Sequence, residues 1–112
     1  MPAEPAFDPV IHAPKRLNIC AMLAPVDEVE FGVLRDELQL SDSVLSKHLA
    51  TLEEHHYIKL RKAKGLRRQQ TWVSLTWSGR NAYDGHVAEL MRVVGRSAAE
   101  HPQQPRPGVA RD

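Results

Sequence analysis

Cysteine is almost missing from this chain: Cys20 stands alone among 112 residues. One thiol cannot close an intramolecular disulfide, and it rules out zinc sites built on cysteine pairs. Cys20 is therefore expected to be a small buried apolar residue, with a redox switch as the sharper alternative. Long apolar runs are missing too. No stretch approaches the roughly 20 residues that would span a bilayer. The first residues carry no basic segment followed by an apolar one, so no secretory signal is expected. Both absences point to the cytoplasm and away from a membrane. There is no Gly-rich phosphate loop, no nucleophile with a plausible base and no suggestive pair of carboxylates. An enzyme is therefore the weakest class, and no cofactor is expected. No internal repeat is present.

The most informative absence is local. From Tyr57 to Arg80 there is no Asp or Glu, while Lys59, Arg61, Lys62, Lys64, Arg67, Arg68 and Arg80 all fall there. From Val26 to Asp42 the balance reverses, with Asp27, Glu28, Glu30, Asp36, Glu37 and Asp42 against Arg35 alone. The formal net charge of +1 conceals this asymmetry. A nearly neutral chain with one strongly basic segment suggests a focused site for a polyanion.

The length fits one domain that can bury a modest core unaided. Residues 1–6 are Pro- and Ala-rich and 100–112 are rich in Pro, so both are expected to be disordered. The folded part is expected over residues 7–99. Pro14 suits the first turn of a helix, after which Leu17, Cys20, Ala21 and Leu23 recur with helical spacing as far as Pro25. Val29 to Phe31 reads as a very short strand. A second helix follows from about Gly32 to Gln39, with Leu34 and Leu38 facing inward. Ser41 is a good N-cap for a third helix, Asp42 to His55 or His56, whose Leu45, Leu49 and Leu52 make one apolar stripe. Two alternating strands come next, Tyr57 to Lys64 and Gln70 to Leu75, joined by a basic tip longer than two residues. Thr76 or Ser78 caps a last helix, about Trp77 to Gly95.

The order is helix, short strand, helix, tight turn, helix, hairpin, helix. This is mainly α with a small β-hairpin wing, the winged helix-turn-helix layout. In such an arrangement the second helix of the pair lies in the major groove, and its N-terminal residues reach base edges. Ser43, Val44, Ser46, Lys47, His48 and Thr51 lie off the apolar stripe and are the candidate readers of double-stranded DNA. Lys62, Lys64, Arg67 and Arg68 cluster near the hairpin tip and are the candidate phosphate contacts.

The residues from Phe31 to Glu53 resemble the helix-turn-helix of small MarR-like and ArsR-like regulators. Val73-Ser-Leu-Thr-Trp-Ser-Gly-Arg80 is similar to their strand-to-helix junction, Leu-Thr-x-x-Gly-Arg. Asp8 to Ile19 resembles the start of the compact single-domain branch. The resemblance runs from about Phe7 to Val94 and implies a homodimeric transcription factor, usually a repressor. It implies that the residues matching Ser43, Val44, Ser46, Lys47 and His48 face the major groove. The chain lacks the cysteine pair of ArsR-like metal sensors.

The last helix presents Tyr83, Val87, Leu90 and Val94 as a stripe flanked by Met91. With the three-helix core and wing complete without it, this stripe is expected to form a homodimer seam, joined by Val10 and Ile11. Adjacent histidines on a helix point about 100° apart, so His55 and His56 are poor co-ligands and no metal site is expected. The rival to DNA binding is a winged-helix module that binds a protein partner.

Overall fold

The computed structural model describes residues 3–100, with side chains described as far as residue 96. The order is α1 (Pro9–His12), α2 (Pro14–Leu23), β1 (Val29–Glu30), α3 (Phe31–Leu38), α4 (Asp42–Glu54), β2 (Ile58–Lys64), β3 (Gln69–Leu75) and α5 (Trp77–Glu100). The three strands form one antiparallel sheet in the order β1-β3-β2. Val73 stands at its centre, paired with Val29 on one side and Leu60 on the other. The fold is thus mostly helical with a winged sheet, as the element order implied, and the short β1 joins the expected hairpin as a third strand. No helix among the described residues is long and apolar enough to cross a membrane.

The core follows the helical periodicities. Ile19, Cys20 and Leu23 of α2, Leu34 of α3 and Leu45, Leu49 and Leu52 of α4 are all buried against Ile58, Val73 and Leu75 of the sheet. Ala21, grouped with this face by spacing, is exposed. Phe31 begins α3 rather than ending β1. Burial raises the Cys20 thiol to about 12, with Asp8 adding to the shift, so the sulfur stays protonated and acts as a small apolar core group.

Two left-handed residues shape the connections. Gln39 takes φ 54 and ends α3, where its N–H and that of Leu40 return to the carbonyls of the last helical turn. Only Leu40 and Ser41 then separate it from α4, which explains the tightness of the turn. His56 takes φ 62 after α4, with its own N–H bonded to the Glu53 carbonyl and that of Tyr57 to the Leu52 carbonyl. The His55 ring bonds the Thr51 carbonyl at 2.9 Å. The His55 ring and the His56 backbone thus help to end α4, and among the described residues no group of three or more potential ligands could hold a metal ion.

The junction of β3 with α5 shows why its residue pattern is what it is. Leu75 is core, and the Thr76 hydroxyl accepts the N–H of Gly79 at 2.9 Å as an N-cap. The same hydroxyl donates to the His56 carbonyl at 2.6 Å, while the Thr76 N–H donates to the Tyr57 carbonyl at 3.0 Å. A Cβ on Gly79 would lie 2.0 Å from the Tyr57 carbonyl oxygen, so glycine alone fits there. Arg80 then reaches the Ala24 carbonyl at 2.6 Å, beyond the C-terminus of α2. These contacts hold the foot of the wing, the end of α4 and the start of α5 together.

Two expectations at the N-terminus need correction. Residues 3–6, expected to be disordered with 1 and 2, run along α5: the Ala6 N–H donates to the Gly85 carbonyl at 3.0 Å. Ile11 was expected at a dimer seam, but it is fully buried within its own chain and can present nothing to a second copy. Val10 beside it is half-buried against the same core. The apolar residues of this segment serve the chain's own core because α1 lies against α2, α4 and α5. The domain is also not complete without α5, since Ala82 and Tyr83 pack on the core and His86 is fully buried. The expected tail lies outside the described residues, apart from its first, Glu100, which continues α5.

Candidate nucleic-acid interface

The geometry of the site starts from the anchoring of α4. Ser41 caps the helix by accepting the Val44 N–H at 3.2 Å, and Asp42 places a carboxylate in the first turn, where the helix dipole favours it. Arg35 of α3 spans Asp36 at 2.9 Å and Asp42 at 3.1 Å, tying the two helices of the pair at their turn. These two carboxylates hold the Arg35 guanidinium charge more firmly than usual. With Leu45, Leu49 and Leu52 buried, the opposite face of α4 is open: Ser43, Val44, Ser46 and Lys47 are all exposed.

Two sequence candidates sit less openly. Thr51 is half-buried and its hydroxyl donates to the Lys47 carbonyl at 3.2 Å, leaving an oxygen lone pair rather than a proton to offer. His48 is also half-buried. Burial, then the nearby cations Arg16 and Lys15, hold its imidazole below the ordinary value. The start of α2 thus adds Lys15 and Arg16 near α4, a pair that sequence spacing did not connect to it. Ala50 was also missed: it lies exposed among the α4 residues that line the cleft toward the wing.

The wing forms the other wall of that cleft. Ser46, Ala50 and Glu53 from α4 line it together with Leu60, Lys62 and Thr71 from the strands. A second depression joins Asp42 and Arg35 to Arg68, Gln69 and Thr71. The tip itself is a four-residue connection after Lys64, closed by the Gly65 N–H donating to the Arg68 carbonyl at 2.8 Å. Leu66, Arg67 and Arg68 are exposed on it. Among the described residues no ion pair engages Lys62, Lys64, Arg67 or Arg68. Arg61 behaves differently. It is held by Glu28 at 2.6 Å and lies 5.8 Å from the centre of the Trp72 ring, and its hydrogen bond holds the Glu28 carboxyl below the usual range. Part of the acidic segment therefore neutralises the inner wing, while the tip keeps its charge.

The apolar stripe of α5 divides in two. Tyr83 packs on the core, and Val87 and Leu90 are half-buried. Met91 and Val94 are 67% and 56% exposed, and Val93, which spacing had passed over, is 42% exposed. The first half of α5 belongs to the domain and the second half projects an apolar surface from it.

Comparison with known proteins agrees with this geometry. Residues 15–94 match the family model described as a winged helix DNA-binding domain. An uncharacterized protein of Methanocaldococcus jannaschii is 31% identical over 78 residues, which cover 70% of this chain and 85% of that protein. Among solved structures, a transcriptional regulator homologue from Pyrococcus horikoshii superposes with a TM-score of 0.74 at 25% identity, covering 79% of this chain and 87% of that one. The zinc-responsive MarR family member ZitR of Lactococcus lactis has a TM-score of 0.58 at 21% identity, covering 81% of this chain and 62% of that one, which is a likeness of fold. The exposed face of α4, the charged wing tip and the matched residues lead to one conclusion: the chain belongs to the winged helix DNA-binding domain family, a family of transcription regulators rather than of enzymes.

Proposed function

We propose that the chain binds double-stranded DNA sequence-specifically as a cytoplasmic homodimer and represses transcription by occupying its operator. The observation that carries this reading is the shared cleft: Ser46 of α4 and Lys62 of the wing line one groove, and Arg68 of the tip lines a second depression beside Asp42 of α4. In this reading Ser43, Val44, Ser46, Lys47, His48 and Thr51 face the major groove. Lys47 donates to guanine O6 or N7, and Val44 touches a thymine methyl. Lys62, Lys64, Arg67 and Arg68 contact phosphates and set the register. One reading helix covers about half a turn of DNA, and a two-fold dimer matches a pseudo-palindrome. The half-buried Val87 and Leu90 and the exposed Met91 and Val94 of α5 form the core of that dimer seam, with Tyr83 and Val10 at its edge.

The test is a selection from random duplexes followed by anisotropy titrations of the selected site across a salt series. Binding weakens steeply with salt in this reading. Changing Arg67 and Arg68 together to Ala lowers affinity for all duplexes alike and reduces the salt slope by about two. Lys47→Ala costs about 1–3 kcal/mol at one base position and relaxes preference there. A shallow salt dependence with no selected sequence would transfer the function to a protein partner.

A further inference from the structure

Residues 3–8 form an N-terminal strap along α5, held by a group of side chains outside the proposed DNA interface. His86 of α5 is fully buried. Its Nδ1 accepts the backbone N–H of Asp8 at 3.0 Å, and its Nε2 lies 3.3 Å from Nδ1 of His12. Asp8 is itself committed: Oδ1 accepts the N–H groups of Val10 at 2.9 Å and Ile11 at 3.2 Å, capping α1, and Oδ2 accepts the Tyr57 hydroxyl. Phe7 stands edge-on to both imidazoles, with ring centroids at 5.9 Å from His12 and 5.4 Å from His86.

These partners dictate where the protons are. An N–H donor facing Nδ1 of His86 requires that nitrogen to be bare, so the single proton of the neutral ring sits on Nε2. That proton points at Nδ1 of His12, which must then be bare as well, leaving the His12 proton on its exposed Nε2 edge. A further proton has no place in the arrangement. On Nδ1 of His86 it meets the Asp8 N–H, and on Nδ1 of His12 it meets the Nε2–H of His86. The same logic excludes a shared metal, because His86 could ligate through Nε2 only by protonating the nitrogen that faces Asp8.

We propose that Asp8, His12 and His86 form an acid-released latch that fastens the strap and α1 to α5. The surrounding charges do not rescue a protonated pair. The Asp8 carboxylate favours charge on His86, but both its oxygens are already occupied, and Glu4 of the strap is exposed. Arg16 of α2 donates to the Val10 carbonyl at 2.6 Å and adds positive charge. Tyr57 and Cys20, both raised to about 12, are neutral in this range. Glu89, one turn along α5, is engaged by Arg92 at 2.6 Å. Opening the latch also frees Asp8 from Tyr57, loosening the strap from the foot of the wing.

Residue-resolved amide exchange on the full chain without DNA tests this, so its outcome is independent of the DNA-binding reading. A single imidazole with an ordinary pKa near 6.5, protonated only when the latch opens, raises the open population about thirty-fold by pH 5.0. Corrected for intrinsic rates, protection of the Asp8 and Ile11 amides is expected to fall at least tenfold between pH 7.5 and 5.0, while the Leu49 and Val73 amides, which exchange only on global unfolding, stay the better protected at both pH values. The His12→Asn and His86→Asn double variant offers carboxamide oxygens where the bare nitrogens were, and should keep its protection at pH 5.0. Nitrogen spectra of the unaltered chain supply a readout that needs no variant: His86 should carry its proton on Nε2 at pH 7.5. A proton on Nδ1 there, undiminished protection at pH 5.0, or equal loss in the double variant each overturns the latch.

Discussion

Gly79→Ala is the sharpest perturbation the structure offers. The added methyl would stand 2.0 Å from the Tyr57 carbonyl oxygen and 2.7 Å from its carbon, both backbone atoms that no rotamer change can move. Reaching an ordinary contact of 3.4 Å requires the two segments to part by 3.4 − 2.0 = 1.4 Å. Overpacking of that kind costs about 1–3 kcal/mol. The same separation strains the two bonds that cross the junction, Thr76 N–H to the Tyr57 carbonyl and Thr76 hydroxyl to the His56 carbonyl, each worth about 1 kcal/mol. The expected loss is about 3–5 kcal/mol, a large part of the roughly 5–15 kcal/mol that holds a domain together. Thermal unfolding followed by circular dichroism should show Tm falling by at least about 12 °C. Gly95→Ala is the matched control, because a Cβ there meets nothing within 4 Å. It lies within α5 and should gain about 0.5–1 kcal/mol in helix propensity. If Gly79→Ala melted within about 2 °C of the parent, the close approach and the account of this junction would both be wrong.

Ser41→Ala removes the cap of α4 and should lower stability by about 1 kcal/mol in urea titrations, with Ser41→Asp restoring most of it; equal loss in both variants would mean that the hydroxyl is not acting as an acceptor. The double change Leu90→Asp and Val94→Asp should yield monomers by light scattering while leaving the fold intact. A parent chain that is already monomeric at tens of micromolar would refute the proposed seam. Stability should also decline in acid. Burial holds His86 and His48 below their ordinary value of 6.5, so the unfolded chain binds more protons below that pH. The contribution is complete above pH 6.5 and is lost as pH falls through the lowered values, so a urea midpoint higher at pH 5.5 than at pH 7.5 would contradict the sign.

Much of this protein was legible before any coordinates because the relevant signals are local. The spacing of Leu45, Leu49 and Leu52 and the cap at Ser41 set out α4 to within a residue or two. Alternation in the hairpin and the turn chemistry at Gly65 set out the wing. Each of these depends on residues a few positions apart, where backbone geometry determines which side chains share a face. The exposed positions of α4 follow from the same periodicity, since a stripe that must be buried leaves its opposite face open. Even the Leu-Thr-x-x-Gly-Arg pattern could be quoted, although its reason could not: the glycine answers to Tyr57, twenty-two positions earlier.

What the tertiary structure alone decided lies in contacts between distant segments. Helix α1 is four residues long, enclosed between Pro9 and Pro14, too short to show a period. Its meaning comes from His86, and the bonds that join them span 74 and 78 residues. Ile11 read as spare apolar surface because nothing near it in the chain covers it, and burial by α2, α4 and α5 became visible only once they packed. Arg61 and Arg68 are alike as residues in a basic run. Glu28 takes charge from the first and not from the second, because the β1–β3 pairing sets β1 beside the inner wing. Helix propensity and strand alternation are encoded within a window of a few residues. Which cation is neutralised, which histidine is sealed and which half of α5 is left over depend on how the windows meet.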